Sequence, residues 1–111
     1  MEYTTEIYQT DSGNRPFSEW LNSIKDQKTE ATLRIRIKRL EQGNFGNCEP
    51  VGEGVSELKI YLGPGYRIYF GKIEKECVLL LCGGHKGKQT SDIIKAKKYF
   101  EDYKSRGKKY G

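Results

Sequence analysis

The strongest constraint on this chain is a pair of alternating segments, residues 55–62 and 66–73, flanking Gly63-Pro64-Gly65. They are followed closely by the unbroken apolar run Cys77-Val78-Leu79-Leu80-Leu81-Cys82. Glycine and proline between two strand-forming segments mark a hairpin turn. With a three-residue loop, Leu62 pairs with Tyr66, Ile60 with Ile68 and Leu58 with Phe70. That register gathers apolar side chains on one face and leaves Glu57, Lys59, Tyr61, Arg67 and Tyr69 on the other. A slip of one residue would set leucine and isoleucine beside Arg67 and Tyr69, so the alternation selects the pairing. Glu74-Lys75 turns the chain again, and the run at residues 77–82 fits a central strand covered on both faces.

Ahead of this unit, residues 2–10 mix Tyr, Thr and Ile and predict a first strand. Asp11-Ser12-Gly13-Asn14 has turn chemistry, with Asn14 positioned to cap a short helix that carries Pro16 in its first turn. Phe17, Trp20, Leu21 and Ile24 recur at helical spacing as far as Lys25. A second helix is predicted over residues 29–42, with the buried stripe Leu33, Ile37 and Leu40 and Gly43 as its stop. Residues 44–54, carrying Gly46, Pro50, Gly52 and Gly54, read as a loop. After Gly83-Gly84 a last helix starts near Thr90 or Ser91 with the stripe Ile93, Ala96, Phe100 and Tyr103. Beyond Lys104 nothing is left to bury, and fraying is expected. The expected fold class is α+β in the order β-α-α-β-β-β-α. It is an antiparallel twisted sheet with two N-terminal helices packed on one face and a C-terminal helix. With 111 residues there is room for one core: a single domain over residues 1–104, then a flexible basic tail over 105–111.

Charge is unevenly spread. The net is +5, but residues 1–54 sum to −2 and residues 55–111 to +7, with +6 in residues 85–111 alone. A basic half points to a polyanionic partner, nucleic acid or an acidic protein surface; the alternative is a solvated lysine-rich helix. No apolar run is long enough to span a membrane, and the N-terminus has neither the basic start nor the apolar stretch of a signal peptide. A cytoplasmic protein with no membrane partner is therefore expected. Cys48, Cys77 and Cys82 have no Cys-x-x-Cys spacing, and Cys77 and Cys82, five apart in a predicted strand, face opposite ways. Buried reduced thiols fit that compartment. A zinc site built from them with His85 would lack any familiar ligand spacing, so neither metal nor cofactor is expected.

The polar hairpin face lies next to the exit of the central strand, where His85, Lys86 and Lys88 emerge. Cations hold phosphates and tyrosine rings stack on bases, a combination suited to RNA. On this pattern Lys59, Tyr69 and Lys88 are RNA-binding candidates. Alternatively, Tyr61 and Tyr69 cover hydrophobic surface and Arg67 pairs with Glu57 across the strands. The glycine-rich exit lacks the spacing of a phosphate-binding P-loop. His85, the only histidine, is the natural candidate for proton exchange near neutral pH.

With the Gly65-Tyr66-Arg67 hairpin, the Leu79-Leu80-Leu81 strand, the Gly-Gly-x-Lys exit and the Ala96-containing helix in place, the chain resembles the RelE/ParE superfamily of bacterial toxins. Within it, the chain is most similar to the HigB-like "addiction module killer" branch. The resemblance spans nearly the whole chain and is sharpest from Glu57-Leu58-Lys59 through Asp92-Ile93 to Ala96. It implies the toxin of a type II toxin–antitoxin system, neutralised by a cognate antitoxin that in this branch is typically a helix-turn-helix protein. It further implies cleavage of mRNA on the ribosome without metal, the RNA 2′-hydroxyl attacking. Carried over by position, Arg67 contacts the scissile phosphate, Lys59 matches a basic position on the preceding strand, and Lys86 and Lys88 stand where other members have basic residues. The catalytic set is then Arg67, Lys86 and His85, the last as general acid or base. His85 stands where the branch usually has Asp, and lysine at 86 and 88 gives up the bidentate grip of the arginine found in some RelE proteins. The superfamily also includes ParE toxins that poison DNA gyrase, which makes gyrase the alternative target; a member that only binds its antitoxin is a third outcome.

Overall fold

The computed structural model describes residues 2–110, with side chains through Arg106. Its elements are β1 (Thr4–Ile7), α1 (Pro16–Ser23), α2 (Gln27–Glu41), β2 (Cys48–Gly52), β3 (Val55–Ile60), β4 (Tyr66–Glu74), β5 (Cys77–His85), a single 3-10 turn (Lys86–Lys88) and α3 (Gln89–Tyr110). The fold is α+β, with three helices on a five-stranded sheet of order β1-β5-β4-β3-β2.

Local chemistry accounts for most element boundaries. Pro16 occupies the first turn of α1, where its missing N–H is harmless. The cap position is Arg15, without a side-chain cap, because the Asn14 N–H instead donates to Thr10 Oγ1 at 3.0 Å. α2 begins two residues before the expected start, since Asp26 caps it by accepting the Thr29 N–H at 3.0 Å. α3 starts at Gln89, directly after the 3-10 turn.

The sheet differs from expectation in three ways. It has five strands, because Cys48–Gly52, expected as loop, pairs antiparallel with β3. Pro50 is tolerated there because β2 is an edge strand. It is mixed rather than antiparallel, because β1 pairs parallel with β5, Thr4 opposite Cys77 and Ile7 opposite Leu80. The central hairpin is also wider than a three-residue loop allows: Ile60 faces Tyr66, Leu58 faces Ile68 and Ser56 faces Phe70. Gly63 and Gly65, at φ +55° and +87°, let residues 61–65 form a five-residue turn. The offset from the expected register is two residues, so each side chain keeps its face.

That parity sets the two cores. On one face Leu58, Ile60, Ile68, Phe70, Val78 and Leu80 pack against Phe17 and Leu21 of α1 and Leu33 and Leu40 of α2. On the other, Val55, Tyr69, Leu79, Leu81 and Cys82 pack against Ala96 and Phe100 of α3 and Tyr8. A bulge makes Tyr69 face Cys82 and Phe70 face Leu80, skipping Leu81. Leu81 and Cys82 therefore share the α3 face, and Cys77 and Cys82 lie on the same side rather than on opposite ones; all three cysteines are free thiols. The fraying expected beyond Lys104 is absent at Ser105 and Arg106. They continue α3, where Arg106 Nη2 donates to Asp102 Oδ2 at 2.7 Å and to the Gln9 carbonyl at 2.6 Å. The rest of the expected tail carries side chains outside the described residues. Among the described residues no helix is long and apolar enough to cross a membrane.

Candidate functional site

The site grows from the cross-strand pairs of β3 and β4. Glu57 stands opposite Tyr69, and Lys59 opposite Arg67. Glu57 is a buried carboxylate, 1% exposed, and a buried anion must be met by donors. Three converge on it: Arg67 Nη1 reaches Oε1 at 3.2 Å, the Tyr69 hydroxyl donates to Oε2 at 3.1 Å, and Gln89 Nε2 donates to Oε2 at 2.9 Å. Gln89 is the first residue of α3, so the network ties the helix start to the hairpin. Tyr69 is completely buried, and burial followed by the Glu57 charge pushes its hydroxyl far above the usual phenol range.

Beyond this network the hairpin end opens into a cleft of about 340 Å³, lined by Lys59, Arg67 and Lys86 together with Tyr61, Pro64 and Tyr66. The Lys86 N–H donates to the Gly65 carbonyl at 3.0 Å, which seats the 3-10 turn against the hairpin loop. Arg67 contributes from the floor. Its Nη1 is committed to Glu57 and its Nε is buried without a partner, which leaves Nη2 as the end of the fork that can reach an anion. Lys59 Nζ pairs with Glu49 at 3.0 Å, a bond that holds its ammonium charged to higher pH than usual. Lys86 makes no ion pair among the described residues.

Of the six residues expected at the site, the fold gathers Lys59, Arg67 and Lys86. Tyr69 is corrected: with no exposed ring face it is a support for Glu57 and not a base-stacking surface. The tyrosine exposed at the cleft is Tyr61, at 76%. His85 and Lys88 lie outside the cleft lining. His85 caps the 3-10 turn, its Nδ1 accepting the Gly87 N–H at 3.1 Å. Arg67 pairs with Glu57 across the strands, as its alternative reading has it, and it also lines the cleft.

Glu49, Gln89 and Asp92 were missed as contributors. Glu49 and Gln89 reach the site from β2 and α3, elements whose approach no local pattern encodes. Asp92 is buried with Oδ2 unpartnered, and burial raises its carboxyl above the usual range despite Lys95, Lys88 and His85 nearby. The two glycines at the end of β5 explain how it fits. A Cβ at Gly84 would sit on the Asp92 carboxylate, and one at Gly83 would enter the Trp20 ring. Each face of the strand thus admits a close neighbour. Among the described residues no three His, Cys, Asp or Glu side chains group as metal ligands.

An α+β domain with a cation-lined cleft at the turn end of its central hairpin is the class these features define. No family model matches the chain. An uncharacterized protein of Haemophilus influenzae is 44% identical over 81 residues, covering 73% of this chain and 82% of that protein. The chain belongs to the same family as that protein.

Proposed function

We propose that this protein is the toxin of a type II toxin–antitoxin system and acts as a metal-independent, ribosome-dependent mRNA endonuclease. The observation that carries the reading is the convergence of Lys59, Arg67 and Lys86 on one open cleft. In this reaction the RNA 2′-oxygen attacks the adjacent phosphorus and the bond to the 5′-oxygen breaks. The products are a 2′,3′-cyclic phosphate and a 5′-hydroxyl; one proton leaves the 2′-hydroxyl and one is delivered to the 5′-oxygen. Charge accumulates on the phosphoryl oxygens on the way, and fixed cations at that point lower the barrier. Arg67 supplies a guanidinium already oriented by Glu57, and Lys86 and Lys59 add to the field. A cognate helix-turn-helix antitoxin with an acidic segment would cover the same cleft.

The test is brief induction in a bacterial host with mapping of mRNA 5′ ends. Truncating Arg67 strands the buried Glu57 charge, at a cost of about 3–5 kcal/mol. The arginine is therefore probed with Arg67→Lys beside Arg67→Ala, and the cleft with the exposed Lys86→Ala. In-frame cuts in translated messages, falling by roughly 100-fold or more in Arg67→Lys, are expected. Growth arrest with intact messages would overturn the reading.

One observation favours a second reading. Because Glu57 already pairs with Arg67, the arginine has a structural use without any substrate, as expected of a ParE-like, non-enzymatic inhibitor of DNA gyrase. That reading predicts DNA-damage signalling and no message cuts.

A further inference from the structure

We infer that Gln89 is a positioning residue for Arg67: by filling one oxygen of Glu57 it holds the buried ion pair to a single bond and so leaves Nη2 free for a phosphate. The inference deepens the endonuclease reading and rests on it for the use made of Nη2. A guanidinium can grip a carboxylate through two parallel bonds. It does so end-on through Nη1 and Nη2, or side-on through Nε and Nη2, and either grip consumes Nη2. The Arg67–Glu57 pair does neither. One bond joins Nη1 to Oε1 at 3.2 Å, and Nε is buried without a partner. Oε2 is already taken, by the Tyr69 hydroxyl at 3.1 Å and by Gln89 Nε2 at 2.9 Å. An ionised carboxylate accepts about two hydrogen bonds at each oxygen, so these two donors fill it.

Of the two donors on Oε2, Gln89 is the one that decides. Tyr69 stands directly opposite Glu57 in the sheet and is wholly buried, so the pairing that fixes the carboxylate also fixes its hydroxyl. Gln89 comes from outside the sheet, as the half-buried first residue of α3. Its reach depends on how closely α3 starts against β5. Gly84 permits that approach. It pairs with Arg67, and the carboxylate of Asp92, in the first turn of α3, fills the space that a side chain there would take. Glu57, Arg67 and Asp92, the buried charged residues among those described, thus meet where α3 begins. Without the Gln89 amide, the orphaned Nε drives the side-on grip, because a buried donor without an acceptor is costly. Nη2 then turns from the cleft onto Oε2.

The experiment uses the full chain and compares wild type with Gln89→Leu, which removes the amide donor, and Gln89→Lys, which keeps a donor. Circular dichroism establishes that each is folded. Cleavage is followed under single-turnover conditions at varied toxin concentration on ribosomes programmed with a message of defined sequence. In parallel, the Arg67 guanidinium, assigned by its absence in Arg67→Lys, is followed by nitrogen NMR as inorganic phosphate is added. Gln89→Leu is expected to lower the maximal rate by up to roughly 100-fold with half-saturation unchanged, and its Nη2 signal should no longer respond to phosphate. Gln89→Lys should restore both. A wild-type rate and phosphate response in Gln89→Leu overturn the inference and leave the endonuclease standing. An equal loss in both variants, or a loss of rate with the phosphate response intact, also overturns it, since the donated bond is then not what matters. A phosphate response that only Gln89→Leu loses, in a chain that cuts no message, keeps Gln89 as the positioning residue of an anion site and removes the endonuclease.

Discussion

Arg67 meets two demands with one guanidinium. It neutralises Glu57, which is buried at the heart of the molecule, and it lines the cleft. Its side chain is 11% exposed, so little of the fork faces solvent. Position thus matters more than charge alone, which is why lysine there should fold but work poorly. His85 makes the opposite case. It is exposed, and its Nδ1 is occupied by the Gly87 N–H, so that nitrogen serves the turn. Replacing it by Asn keeps a cap acceptor at that place. His85→Asn is expected to reduce cleavage by less than about tenfold, whereas a general acid or base would cost roughly 100- to 10,000-fold. The programmed-ribosome rate measures the difference, and a loss in the upper range would return His85 to the proton-transfer role.

At the level of elements, side-chain faces were legible in the sequence and pairings beyond the hairpin were not. Alternation at Leu58, Ile60, Ile68 and Phe70 encodes a face, and a two-residue error in loop length leaves that face intact. The same parity put Glu57, Lys59 and Arg67 on one face, which left the Glu57–Arg67 pair open as the alternative reading that the structure shows. It could not say that α3 would close over Tyr69, because the helix reaches the sheet from residues far along the chain. β2 was hidden by Pro50 and three glycines, which read as loop until the strand is known to be at an edge. The turn that follows it leaves Glu53 at φ +56°, a left-handed conformation that suits Asn or Gly better than Glu. Glu53→Asn is expected to stabilise the protein by about 0.5–1 kcal/mol, read as a higher urea midpoint with unchanged slope. A lower midpoint would mean that the Glu53 side chain makes a contact of greater value than the backbone relief.

For the molecule as a whole, two carboxylates pull stability in opposite directions with pH. Asp102 accepts from the Tyr8 hydroxyl at 2.5 Å and pairs with Arg106, and those bonds hold its carboxyl below the usual range. Tyr8 answers with a hydroxyl pushed up to about 12, by burial first and then by Asp102. A lowered acid stabilises the fold above its unfolded value, and that contribution is lost as pH falls through the lowered folded value. Asp92 has the reverse sign: raised by burial, it weakens the fold above its folded value, and the penalty disappears below its unfolded value. Melting temperatures between pH 7 and pH 3 should therefore show Asp92→Asn above wild type at pH 7 and level with it in acid. Asp102→Asn should start below wild type and converge. Equal offsets at all pH values would assign both effects to packing. The parallel pairing of β1 with β5 has a further consequence, for the order in which a ribosome delivers the chain. The β3–β4 hairpin can close as soon as it emerges, uniting Lys59 with Arg67. β1, made first, must wait through more than half the chain for residues 77–85, and the Arg106 contact to Gln9 comes later still. A nascent chain thus carries an unclosed sheet edge through most of its synthesis, and Lys86 joins the other two cations only when the strand that seals that edge has been made.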